Sequence, residues 1–150
     1  MAEFDKYKQL LNNGEYASAE KILSGLTCEQ VSHLPSVQSH TIYDELWHTT
    51  RWQNIVINDD KSLIEKWKAG EIYPAAQPST QQQWDSLVTE FITVLNKTID
   101  TSQSPEVMQR QLEYGGTFSD ALEILATHNA YHLGKIVALR QLLGAWPPKE

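Results

Sequence analysis

The chain has one cysteine, few basic residues and no long apolar run, and each shortage excludes something. Cys28 is the only thiol in the 150 residues, so no disulfide can close within the chain, and a reducing compartment suits it. Apolar runs fall far short of the about 20 residues that cross a bilayer as a helix, so no membrane span is expected. The start, Met1-Ala2-Glu3-Phe4-Asp5-Lys6, has neither the basic residues nor the apolar stretch of a signal peptide, and a cytoplasmic protein is expected. Twelve Lys and Arg stand against nineteen Asp and Glu, a net charge of −7. Nucleic-acid binding draws on clustered positive charge to neutralise phosphates. The basic residues here are scattered, so neither DNA nor RNA is an expected partner. No internal repeat, low-complexity tract or linker breaks the chain, and its length fits a single domain over residues 1–150.

What is present reads as helix. Glu3 to Asn13 places Phe4, Tyr7, Leu10 and Leu11 on one face and stops at Asn13-Gly14. Glu15 to Leu26 adds helical turns through Ala19, Ile22 and Leu23, and Thr27 with Gln30 makes a capping box. A helix beginning near His40 or Thr41 carries Ile42, Leu46, Thr49, Gln53 and Val56 to about Asn58. Asp59-Asp60 caps a shorter helix that runs to Lys68 and stops at Gly70. Glu71 to Ser79, with Pro74 and Pro78, is the longest irregular stretch. Ser79 with Gln82 reads as the capping box of a long helix to about Asp100, its stripe formed by Trp84, Leu87, Val88, Phe91, Val94, Leu95 and Ile99. Pro105 restarts a short helix. Thr117 with Asp120 opens the last one, which runs to Leu143 before Gly144 and Pro147-Pro148. Almost nothing reads as strand. The expected class is all-α, an antiparallel four-helix bundle with short additional helices.

Three histidines carry the chemistry. His128 and His132 lie four residues apart on the last helix, which sets two imidazoles on one face, about 6 Å apart along the axis. His48, in Asp44-Glu45-Leu46-Trp47-His48, can supply a third nitrogen from another helix. The face centred on His48 also presents Thr41, Asp44, Glu45, Trp52 and Ile55. The face of His128 and His132 presents Ala121, Ile124, Leu125, Lys135 and Leu139. Both faces are largely apolar and are expected to point inward. A buried imidazole without a partner costs about 1–3 kcal/mol, and metal coordination offsets that cost. An ordinary hydrogen-bonded core histidine is the competing account of any one of them. The HExxH peptidase pattern is absent, since Asn129 stands where its glutamate would be. His33, before a proline loop, is expected in solvent. His40, at a helix start, could cap the helix or support a ligand from behind.

The run from Thr127 to Trp146, built on His128-Asn129-Ala130-Tyr131-His132-Leu133-Gly134-Lys135, closely resembles the last helix of the DinB-like superfamily related to YfiT, which is distinct from the polymerase of the same name. His40 to His48 is similar to that family's metal-bearing second helix. Leu10 to Gly14, the Tyr73-Pro74 to Pro78 loop and Trp84 also sit where members carry similar residues. The resemblance covers nearly the whole chain, and its C-terminal motif is the specific part. It implies a four-helix bundle holding a divalent ion through His48, His128 and His132. Members often have Gln where this chain has Lys135. That lysine is expected to pack its stem on the bundle and reach water with its ammonium. Were it to reach the pocket, it would favour an anionic substrate or a thiolate.

Three functions fit such a site. The first is metal-dependent hydrolysis of a small-molecule substrate, with Asp44 or Glu45 orienting or deprotonating a water. For Asp44 the stronger expectation is a charge interaction at the helix N-terminus; for Glu45 the two roles weigh equally. The second is thiol S-transfer, in which a low-molecular-weight thiol such as bacillithiol or mycothiol, bound as thiolate, attacks an electrophile, as in some relatives. The third is a metal-binding or stress-response protein that catalyses nothing. Trp47, Trp52 and Tyr131 are candidates to line a cavity, and Cys28 is expected to be a packing residue. Nitrogen ligands suit zinc, nickel, iron, manganese or copper without choosing among them. Exposed apolar helix faces would be compatible with a homodimer.

Overall fold

The computed structural model describes residues 5–113 and 115–150, which form eight helices. Glu3 and Phe4, the expected start of the first helix, lie outside them. In chain order the helices are α1 Lys6–Leu11, α2 Ala19–Leu23, α3 Cys28–Ser32, α4 Ile42–Asn58, α5 Lys61–Lys68, α6 Gln81–Thr101, α7 Pro105–Met108 and α8 Phe118–Leu142. The all-α expectation therefore holds among the described residues. The nearest approach to a strand there is one isolated bridge between Gln111 and Thr117. Among the described residues, no helix is long and apolar enough to cross a membrane.

Three helices are long, and α4 is the central one, packed on both α6 and α8. Its inner residues Ile42, Leu46, Ile55 and Val56 are buried, as are Trp84, Phe91 and Leu95 of α6 and Leu122, Leu125, Leu133 and Ile136 of α8. The short helices α1 and α2 cover α6 and α8, and α3 packs on α4 and α6. Local chemistry sets most of the starts. Thr27, Thr41 and Thr117 each form a full capping box, with Gln30, Asp44 and Asp120 respectively. The start of α6 differs from expectation. Its cap is Thr80, which accepts from the Gln83 amide, while Ser79 donates its own N–H to the Gln83 side chain at 2.6 Å. Gly14 closes the turn after α1 for a steric reason: a Cβ there would lie 2.0 Å from the Gln9 carbonyl oxygen.

A polar ladder fixes how α8 sits on α4. Thr49 donates to Asn129 Oδ1 at 2.7 Å, Asn129 Nδ2 donates to Gln53 Oε1 at 3.1 Å, and Gln53 Nε2 donates to the Phe91 carbonyl at 3.0 Å. All three side chains are fully buried. Sliding α8 by one helical turn, about 5.4 Å, would orphan these groups at about 1–3 kcal/mol each. The position where a zinc peptidase would carry its glutamate thus holds a residue that sets helix register.

Candidate metal centre

The register brings together the three histidines that the sequence singles out. One nitrogen from each of His48, His128 and His132 lies within 4.8 Å of the other two. His48 Nε2 and His128 Nε2 are 3.1 Å apart. The ring centroids of His132 lie 4.5 Å from those of both His48 and His128. His48 and His132 are buried and His128 is half-buried.

Outer partners decide which nitrogens are bare. His48 Nδ1 sits 2.8 Å from the carbonyl oxygen of Ile72, which can only accept, so Nδ1 carries the proton and Nε2 keeps its lone pair. His132 Nδ1 sits 2.5 Å from Glu45 Oε2, which places a proton on Nδ1 and leaves Nε2 as the nitrogen turned to the other two rings. Such a carboxylate or carbonyl behind a histidine is the usual companion of a metal ligand. His128 Nδ1 is buried and has no hydrogen-bond partner within the protein.

Burial pushes the His48 imidazole below its ordinary value, although the bond to Ile72 works the other way. Burial first, then the neighbouring imidazoles of His132 and His48, carry His128 down to about 4. Both rings are therefore neutral at physiological pH, the form that ligates. The donor set thus fits a divalent ion: three imidazoles from two helices, two of them oriented from behind by an acceptor on Nδ1.

Glu45 is buried between two cations or donors. Burial alone would push its carboxyl up, but the bond from His132 and the charge of Lys135 hold it below the usual range. Lys135 Nζ lies 2.8 Å from Glu45 Oε1, an ion pair off the axis of a good hydrogen bond. Burial works to lower the Lys135 ammonium, and Glu45 outweighs it, so the lysine stays charged. The expectation that Lys135 would extend into water is corrected: its ammonium turns to the acid behind His132, with a third of the side chain still exposed. Asp44 takes the role expected at a helix start. Its Oδ2 accepts from the Thr41 amide at 3.0 Å and its Oδ1 from Gln77 Nε2 at 2.7 Å.

The wall of the site differs from expectation in part. Trp52 does face it, 5.9 Å from the His128 ring and 5.2 Å from Trp67. Trp47 instead stacks under Arg51 at 4.5 Å and lines a separate cleft of about 680 Å³ with Tyr43, Gln77, Gln83 and Glu90. Tyr131 is exposed, its ring edge-on to His132 at 5.1 Å. Trp67 and Tyr73 supply what was missed, each ring 4.8 Å from His48. Burial raises the Tyr73 phenol, and the nearby Glu45 charge adds to that. His40 stacks on Tyr73 at 3.7 Å, which makes it a support, while His33 is exposed as expected. Cys28 packs away from the histidines, its thiol donating to the Pro78 carbonyl at 3.4 Å.

Ile124, expected inside with the histidines, is 62% exposed. The buried stripe of α8 is centred on Leu125, Asn129 and Ile136, all fully buried. His128 therefore lies at the stripe's edge, and Ile124, one turn earlier, falls outside it. No family model, no curated protein and no solved structure matches this chain.

Proposed function

We propose that this chain is a DinB-like protein that binds one divalent ion through His48, His128 and His132 and uses it on a small-molecule substrate, with metal-dependent hydrolysis as the first reading. The observation that carries the metal is the convergence of three imidazole nitrogens within 4.8 Å. The order of contacts supports the bundle that such a protein would have. Glu45 meets His132 and Lys135 while Gln53 meets Asn129, so rising numbers on α4 pair with falling numbers on α8, as antiparallel neighbours do. A divalent ion in this place supplies Lewis acidity toward a substrate oxygen or sulfur.

The chain's own groups have separable tasks. Glu45 and the Ile72 carbonyl orient His132 and His48; Trp52, Trp67 and Tyr73 keep water from the rings' flanks; Lys135 holds Glu45 ionised. Thiol S-transfer is the second reading, and one observation favours it. Asp44 and Glu45, the two acids beside the histidines, are both committed to other partners, and a hydrolase would call on such a carboxylate to accept a proton from water.

Elemental analysis of untagged protein tests the metal, with close to one divalent ion per chain expected. His48→Ala and His132→Ala should each lose it; unchanged metal content in both would overturn the site. Incubating the loaded protein with an electrophile and a panel of cellular thiols separates the chemistries. An adduct with one thiol supports transfer, and turnover of esters or amides without thiol supports hydrolysis.

A further inference from the structure

We infer that the three-histidine site takes an anionic small molecule, a carboxylate or phosphate ligand, with the Lys135 ammonium as its recognition point. This rests on the metal reading above and adds the class of ligand. The first argument is charge balance. Imidazoles that ligate an ion carry no charge of their own, and Glu45 and Lys135 pair with each other at 2.8 Å. A bound divalent ion would leave its whole charge uncompensated among the rings of Trp52, Trp67 and Tyr73. An unbalanced charge in apolar surroundings is costly, and an anionic ligand removes that cost.

The second argument is the asymmetry of the ion pair. Glu45 is 1% exposed at its side chain and Lys135 is 33% exposed, so the acid is enclosed and the cation is the partner that solvent reaches. An ammonium has three donors, and Glu45 Oε1 engages one side of it. The Tyr131 ring, 5.4 Å from Nζ, flanks another. The lysine is thereby held in place with donor capacity left over, on a protein whose net charge of −7 would otherwise repel anions. His132 takes one oxygen of Glu45 and Lys135 the other, which leaves the solvent-reached side of the ammonium unengaged by the acid.

The test uses zinc-loaded full-length protein titrated by calorimetry with benzoate and with phenylphosphonate, benzamide serving as the neutral counterpart. Metal content is measured on every sample. Both anions should bind, and benzamide should bind about tenfold more weakly or not at all, the effect of roughly one favourable charge contact. Lys135→Met should keep its zinc and lose about tenfold in anion affinity, while Lys135→Arg stays within about threefold of the parent. Zinc-loaded Lys135→Met that binds benzoate like the parent overturns the inference and leaves the metal reading intact. So does loss of zinc in Lys135→Met, because the lysine would then act only through Glu45. A parent protein that takes up no zinc overturns the metal reading, and this inference falls with it. The relative strength of benzoate and phenylphosphonate tells a carboxylate site from a phosphate site.

Discussion

Glu45 of α4 and His132 of α8 meet at 2.5 Å, the carboxylate of one helix on the Nδ1 of the other, both buried. This bond is one of those that join α4 to α8, the helices of the candidate metal ligands, and it fixes the orientation of the His132 ring. Glu45→Gln keeps an acceptor at that distance but removes its charge and leaves Lys135 without a partner. Metal affinity should fall about 10–100-fold, and further in Glu45→Ala. Competition against a chromophoric chelator reads the change. Parent-like affinity in Glu45→Ala would show that His132 is oriented by something else.

The ladder through Asn129 makes a stability prediction. Asn129→Leu removes the partners of the Thr49 hydroxyl and of Gln53 Oε1, both inside the bundle. Unfolding in urea should show a loss of about 1–3 kcal/mol or more. Metal occupancy should fall as well, although Asn129 touches no ion, because the register that joins His48 to His128 is loosened. A stable variant with full occupancy would mean that apolar packing alone sets the register.

Acid should weaken the metal-free protein. His128 is shifted from its ordinary 6.5 to about 4, and His48 is shifted in the same direction, both by burial. The unfolded chain therefore takes up protons that the folded chain refuses, and stability depends on pH wherever the two differ. The stability is complete above about pH 6.5 and is lost as pH falls toward about 4. Glu45, held below its usual range, adds a loss in the same direction at lower pH as it is protonated. Thermal melts of the chelator-treated protein should drop across that interval, and His128→Gln should flatten the slope. A slope that survives in His128→Gln would assign it to other groups.

The entry to α4 links the cap to the site. Thr41 accepts from the Asp44 amide, and its hydroxyl donates to Gln77 Oε1 at 2.8 Å. Thr41→Ala should cost about 1 kcal/mol for the cap. Hydrogen exchange should also speed up around Gln77, since one of the two bonds tying that residue to α4 is gone. Unchanged exchange would show that the bond from Gln77 to Asp44 suffices.

Much of the molecule was legible because its signals are local. The caps at Thr27 and Thr117 follow from a threonine and its third neighbour, and each formed as read. The histidines were legible because a four-residue spacing has one helical meaning. The inner face of α8 was not, since this helix carries apolar residues on several sides and periodicity does not single one out; Ile124 is the result. The reach of Lys135 was hidden for another reason. Helical arithmetic places a Cβ, while the acid that turns the ammonium lies 90 residues away on α4. Trp67 and Tyr73 come from α5 and the irregular stretch after it, whose path no spacing rule describes.

The bond from His48 to Ile72 is made by a main-chain oxygen. Exchanging the side chain at 72 cannot delete it, so an alanine scan would pass over one of the two groups that prepare the site. Length is the vulnerable variable. The segment from Gly70 to Gln77 is held at one end by the C-terminus of α5 and at the other by Thr41 and Asp44. Adding or removing one residue between those ends would move the carbonyl off its imidazole, though every side chain named above remained in place. Natural variants of this protein should therefore vary freely in residue type at position 72 and hardly at all in the number of residues that follow it.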